Sequence, residues 1–485
     1  MSGAPHFPRL RDECGSGERG GSAAYPVGGI HGRDLWCFYV KRVWLSWRES
    51  GRIMVARFVL FGCAGYYEGG GVMGRQVAKV VFVLFVLGSF ATASAEEASD
   101  WGADKLSGDW GGVRSGLYNK GVTIELAHKS DFLSNRSGGI KTGSVWLANT
   151  EAAISVNLGK HIGWAGASAF IQYHAQHGNQ SKDFNGSYVG SFAGVSNIET
   201  GNDAVQFYQA WLQKNFDDDM LSVLAGLYAI DSEFYVTDTS GLFLQPPYGM
   251  SAEMAQTGQN GPPIFPMGAL AVRVKYSAPN FYIQGALTDG VPGNLASPSG
   301  TYIKLDKTDG AFSVVEFGYM PADENESISK TSLGFWNYSA SASDLDLLIS
   351  EPRSDQGIYV LAERTVRAEQ GQPGQGLSGF VRYGMANKNV YQSDWSGSVG
   401  LHYQGLLDGR DDDEVGIAVT TSHASDKYRR LNASDSSETV IELTYRAQML
   451  PWLAVQPLVQ RIINPGMDMT LGDASVVGVR VELAL

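Results

Sequence analysis

Short stretches of strict two-residue alternation run through most of this chain, and that period narrows its choice of fold more than any other feature. Leu270, Val272, Val274 and Tyr276 alternate with Ala271, Arg273 and Lys275. From Thr439 to Gln448, Ile441, Leu443, Tyr445 and Ala447 oppose Val440, Glu442, Thr444, Arg446 and Gln448. Val399, Leu401 and Tyr403 oppose Gly400, His402 and Gln404, and Val477, Val479, Val481, Leu483 and Leu485 oppose Gly478, Arg480, Glu482 and Ala484. Successive side chains of a strand point to opposite faces, so each segment is a strand with one apolar and one polar side. Some connections are tight, as at Leu158-Gly159-Lys160, Asn215 to Asp219 and Asp408 to Asp411. Others are long and polar, as at Gly178 to Asp203 and Leu244 to Pro266. Helical period is confined to Asp109 to Gly121, where Asp109 is placed to cap, Val113 and Leu117 lie one turn apart and Gly121 ends the run.

Two all-β architectures produce such strands. In a soluble sandwich the apolar faces pack against each other, whereas in an outer-membrane barrel they meet lipid and the polar faces line a lumen. Three features favour the barrel. First, Arg75 and Lys79 precede the apolar run Val80 to Leu87 and the small-residue site Ala93-Ser94-Ala95. That is the order of a secretory signal peptide, and the run is shorter than the ~20 residues of a spanning helix. Second, the three cysteines, Cys14, Cys37 and Cys63, all precede this segment, so no disulfide framework, thiolate metal site or cysteine nucleophile is expected after it. Third, the last alternating strand runs to Leu485 with an apolar stripe, as the strand that closes an edgeless barrel would. Aromatic residues near strand ends, Tyr276, Phe281, Tyr445 and Trp452, suit an interfacial girdle.

The expected organisation is therefore a leader of doubtful origin over 1–72, a signal peptide over 73–95, a periplasmic segment with a short helix over 96–121, and a transmembrane antiparallel β-barrel over 122–485. Signal peptides begin at the start of a chain, so Met73 is the expected initiator, and N-terminal sequencing of the natural precursor checks it. Without the first 95 residues, 26 basic and 44 acidic residues remain, a balance that argues against a nucleic-acid partner. The remaining length accommodates ~16 strands, or 18, of ~10 residues each, enough to enclose a water-filled channel.

Enzyme signatures are missing: there is no H-E-x-x-H, G-x-S-x-G, P-loop or C-x-x-C after Ala95. His174 and His177, three apart on a strand, point to opposite faces and cannot share a metal. The acidic runs Asp217 to Asp219 and Asp411 to Glu414 fall at turns and read as solvated. No catalytic residue, metal or cofactor is expected. Period-two counting instead directs Gln172, His174, Gln176, Arg273, Lys275, Gln284, Glu442, Thr444, Arg446, Gln456, Gln460, Arg480 and Glu482 inward as candidate pore-lining residues. Amides and charges of both signs offer hydrogen bonds to a neutral polyol without imposing a one-signed field. For any single one, pairing with a lumen neighbour is the simpler role.

Several separate stretches resemble the carbohydrate-selective porin family of Gram-negative outer membranes (OprB). They are Asp109-Trp110-Gly111-Gly112-Val113-Arg114 with Leu117 and Gly121, Gly194 to Glu199, Ile230 to Phe234, and Gly409 to Gly416. The most specific runs from Ile441 to Tyr445, through Pro451-Trp452-Leu453 and Gln456-Pro457, to Gln460 to Gly466. The resemblance covers Trp101 to Val481 and implies a sixteen-stranded barrel that admits monosaccharides and small oligosaccharides by passive diffusion. It implies outer-membrane lipid as surroundings and the barrel-assembly machinery as a partner during insertion; whether three barrels form a homotrimer stays open. Two features depart from the family: the chain ends in Leu485 rather than an aromatic residue, and the 72-residue leader has no counterpart. Two other functions are weighed. One is a general pore, or one selective for anions or aromatic acids, using Arg273, Lys275, Arg446 and Arg480. The other is a secreted all-β carbohydrate-binding or hydrolytic protein, which would be soluble without detergent.

Overall fold

The computed structural model describes residues 37–49, 52–64, 104–295, 297, 299, 303, 305–321, 328–369, 372 and 374–485. The chain divides into two units, Met1–Ser94 and Ala95–Leu485. In the first, β1 (Cys37–Glu49) pairs antiparallel with β2 (Arg52–Ala64). Both segments are rich in Val, Phe and other residues of high β-propensity. The segment expected to be a signal peptide, 73–95, and residues 96–103 lie outside the described residues.

The second unit is a closed barrel of sixteen strands. Its first half is β3 (Val122–Gly139), β4 (Gly143–Asn157), β5 (Ala167–Gly178), β6 (Ala204–Phe216), β7 (Leu221–Tyr228), β8 (Ala269–Ala278), β9 (Phe281–Asp289) and β10 (Ala311–Tyr319). Its second half is β11 (Ser329–Ala342), β12 (Arg353–Ala368), β13 (Gly376–Ala386), β14 (Ser393–Gln404), β15 (Glu414–Ala424), β16 (Ser437–Leu450), β17 (Leu453–Ile463) and β18 (Gly472–Ala484). Every strand pairs antiparallel with its chain neighbours, and β18 returns to β3 with Arg480 opposite Asp131 and Val479 opposite Phe132. The ladder then closes on itself and leaves no edge strand, which is the condition for strands to cross hydrocarbon.

Burial is inverted relative to a soluble sandwich. On β8 the apolar Val272, Val274 and Tyr276 are 50%, 45% and 41% exposed, while Arg273 between them is 2% exposed. Leu443 is likewise exposed between buried Glu442 and Thr444, and Val477 and Val479 are exposed where Arg480 is buried. An outer wall of this kind is compatible with acyl chains and not with water. Aromatic rings gather near the end of that wall, with Tyr276, Phe281 and Phe317 in a row at 6.2 and 6.1 Å centroid spacing. One end of the barrel carries brief turns, such as 217–220, 279–280 and 451–452, and the other carries the long connections 179–203, 229–268 and 290–310.

The helix α1 (Val113–Asn119) is shorter than its sequence period suggested, and Gly112, at φ 91°, takes the cap position expected of Asp109. The Asp109 carboxylate still serves the helix start from further back, accepting from Ser115 N (2.7 Å) and Oγ (2.8 Å). The tight turn expected at Leu158–Lys160 is a helical turn, Leu158–Ile162, because the Asn157 side chain accepts from Lys160 N. Arg114 of α1 is buried at the barrel seam and donates to the carbonyls of Leu485 (2.7 Å) and Ile124 (3.3 Å).

Candidate functional site

The alternation accounts for the wall but not for what fills it. Residues 179–203, after β5, and 229–268, after β7, turn back into the barrel and bury apolar side chains against its inner face. From the first loop, Phe184, Val189, Val195 and Ile198 pack on Leu133, Leu147, Val440, Leu458, Ile462 and Val476. From the second, Phe234, Tyr235, Met250 and Met254 pack on Phe312, Val314, Trp336, Tyr338 and Tyr359, and Phe243 and Tyr248 reach Phe380. The inner face is therefore polar only in part. Val440, grouped by period with Glu442 and Thr444, is apolar because a loop covers it. Two wall glycines make this approach feasible. A Cβ at Gly384 would lie 1.8 Å from Glu253 Oε1, and one at Gly416 would lie 2.7 Å from the Phe243 ring.

Loop backbone buried in a barrel needs partners for its N–H and C=O groups, and wall side chains supply them. Glu438 accepts from Phe192 N (2.7 Å), Ala193 N (2.9 Å), Ser191 Oγ (2.8 Å) and Gly466 N (2.6 Å). Glu442 accepts from Leu244 N (2.7 Å) and Gln245 N (3.0 Å), and Glu363 from Thr239 N (2.9 Å). Glu316 accepts from Tyr235 N (2.9 Å) and from the hydroxyls of Tyr282 and Tyr359. In the other direction Arg382 donates to the carbonyls of Tyr235 (2.7 Å), Gly249 (2.8 Å) and Tyr248. Charge-assisted bonds to backbone are among the stronger hydrogen bonds, so the loops are fixed parts of the wall.

All thirteen residues expected inside lie on the inner face, and the loops sort them into groups. Glu442, Gln456, Gln460 and Arg480 lie beneath the loops: Gln456 donates to Leu242 O (2.7 Å), Gln460 to Val195 O (3.0 Å), and Arg480 to Asn197 Oδ1 (2.7 Å). Thr444 donates to Pro457 O and accepts from Gln456. Arg273 pairs with Glu233 at 2.7 Å, and Gln284 donates to the Glu233 carbonyl at 2.8 Å. His174 and Gln176 are buried, His174 against Tyr208 and Phe265, while Gln172 bonds Gln209. Lys275, Arg446 and Glu482 keep partial exposure, Arg446 bridging Glu414 (3.1 Å) and Glu482 (3.0 Å). His177 points outward beside Trp146, away from His174. Glu316, Glu363, Glu438, Arg382 and Asp131 were missed. Glu438 stood in plain sight, two residues before Val440 on the same face.

Two loop carboxyls are held away from their ordinary range. Burial pushes Glu253, whose Oε1 accepts from Tyr235 OH (2.9 Å), up to about 7. Burial likewise raises Glu199, which accepts from Asn185 N, to about 7. A carboxyl raised in the folded state favours folding while protonated, so loop packing is strongest below about pH 4.5 and weakens as pH climbs towards 7. The melting temperature of the detergent-solubilised barrel is expected to fall across that interval. The double variant Glu199→Gln, Glu253→Gln is expected to flatten the fall, and an unchanged slope would count against this assignment.

A sixteen-stranded antiparallel barrel with an apolar outside, charged and amide groups inside and long loops folded into its lumen is an outer-membrane porin. The description "Carbohydrate-selective porin, OprB family" matches residues 146–485, and the chain belongs to that family. Porin B of Pseudomonas aeruginosa is 25% identical over 452 residues, spanning 84% of this chain and 98% of that protein. Putative porin QuiX of Acinetobacter baylyi is 23% identical over 441 residues, 82% and 97% of the two chains. The fold matches the high-pH structure of Pseudomonas putida OprB with a TM-score of 0.73 at 24% identity, over 80% of this chain and 100% of that one. The protein is a channel of the Gram-negative outer membrane through which sugars diffuse passively.

Proposed function

We propose that monosaccharides and small oligosaccharides cross between the inner loops and the uncovered part of the wall, where Lys275, Arg446, Glu482 and Gln172 stand nearest to water. The observation that carries this reading is that the lumen carries charges of both signs, with arginines set against carboxylates. Arg273 pairs with Glu233, Arg480 with Asp131, and Arg446 with Glu414 and Glu482. Such a wall offers donors and acceptors that replace part of a polyol's hydration. The same pairing weakens an anion-selective alternative, because all four of its cations already face a carboxylate. Export through a signal peptide ending at Ala95 and insertion by the barrel-assembly machinery remain parts of the proposal, a homotrimer stays open, and no chemical step on the sugar is involved.

Liposome swelling is the direct test. Vesicles containing the protein are expected to swell faster in monosaccharide than in larger oligosaccharide, and both faster than protein-free vesicles. Rates equal to the protein-free control would overturn sugar passage, and strong anion selectivity in reversal-potential measurements would favour the alternative.

A further inference from the structure

Beyond the loops, the short-turn end of the barrel, which is the periplasmic end in this class, holds a recess of its own. Its volume is about 330 Å³, and it is lined by Tyr118 from α1, Gly121, Lys160 from the β4–β5 turn, the inner-face Thr123, Ser155, Ser168 and Trp211, and neighbouring strand residues such as Val156 and Ala169, at the lower end of the ~300–1,000 Å³ of small-molecule sites. Strand register places the lining. Thr123 pairs with Ser155, Ser155 with Phe170, and Phe170 with Trp211, so the four share one face of adjacent strands. Phe170 and Trp211 stack at 5.0 Å with planes 26° apart, which fixes the indole as a firm platform. Lys160 Nζ sits 5.9 Å from the centre of the Tyr118 ring. Among the described residues, the hydroxyls of Thr123, Ser155 and Ser168 are not drawn into hydrogen bonds with the protein.

We infer that this recess is a second sugar-binding station, at the exit of the channel, taking one pyranose ring; this rests on the sugar-channel reading above. A pyranose has an apolar face of C–H groups and a rim of hydroxyls. Trp211 and Tyr118 meet the first, and Ser155, Ser168, Thr123 and Lys160 meet the second. An aromatic plate beside uncommitted hydroxyls suits a neutral polyol and leaves small ions with little to bind. Its place also fits passive transport, which works best when a solute passes between several weak sites instead of resting at one deep site. A molecule released from the narrow, loop-lined section would be held briefly before leaving.

The test reads sugar-induced current noise from the purified channel in planar bilayers, with glucose and maltose added on either side. Insertion as a conducting pore shows that a variant is folded. Trp211→Ala is expected to raise the half-saturating sugar concentration about tenfold, and Trp211→Phe, which keeps an aromatic plate, to recover most of it. The double variant Ser155→Ala, Ser168→Ala, which leaves the aromatic packing intact, is expected to raise it severalfold and carries the test if Trp211→Ala does not insert. Unchanged half-saturation in the inserting variants, with sugar passage intact by liposome swelling, overturns the exit station alone. Absence of sugar passage in the unaltered protein overturns the channel reading itself.

Discussion

Glu442→Ala is expected to widen the pore. The carboxylate holds Leu244 N, Gln245 N and Gln460 Nε2, at 2.7, 3.0 and 3.0 Å. Its removal strands three buried donors at about 1–3 kcal/mol each. That loosens the middle of the 229–268 loop, where Phe243 and Tyr248 sit in a small apolar cluster and Leu244 in the larger one shared with the first loop. Single-channel conductance is expected to rise, and vesicles are expected to swell with oligosaccharides that the unaltered protein admits slowly. Glu442→Gln keeps one acceptor oxygen and is expected to fall between the two. If Glu442→Ala leaves both conductance and size cut-off unchanged, the loop does not set the width of the passage.

Arg480→Met is expected to destabilise the barrel by about 3–5 kcal/mol. Arg480 makes a bidentate pair with Asp131 at 2.7 and 2.8 Å, both side chains buried, across the seam between the last and first strands. Without the guanidinium, Asp131 keeps Ser196 Oγ at 2.6 Å as a donor and an otherwise uncompensated charge. Removing both partners, Asp131→Leu with Arg480→Met, is expected to regain much of the loss, since two apolar side chains leave no orphaned charge. The temperature at which the folded band disappears in heat-modifiable gel electrophoresis reads both effects. Equal temperatures for the single variant and the unaltered protein would show that the pair contributes nothing to closure.

The wall was legible in the sequence because its rule is local: a period of two sorts Val272 from Arg273 without reference to the rest of the chain. The lumen filling was not, because nothing local marks a loop that turns inward. Residues 229–243 lie between β7 and the polar run from Leu244, and their apolar members, Ile230, Phe234, Tyr235 and Phe243, read as scattered residues of a connection. Only their partners on β10 to β13, brought close by the curvature of the sheet, explain them. Glu442, Gln456 and Gln460 were placed on the correct face, yet the period could not say that they meet backbone from residues 195–245 rather than water. Asp109 shows the same limit at small scale: the residue is suited to serve a helix start, and three glycine-rich positions decide from where it does so.

The seam has a consequence for the order of assembly. Its clasps, Arg480 to Asp131 and Arg114 to Leu485, join positions 349 and 371 residues apart, and one holdfast of each inner loop, Glu438 for the first and Glu442 for the second, comes from the late strand β16. A growing chain thus makes its filling segments before these moorings. Contacts of such long range are slow to form, so the circumference can close only once the final strands are in place. A truncated product lacking β16 to β18 would have no closed circumference and would lack the Glu438 and Glu442 moorings of its inner loops, so it could not serve as a pore.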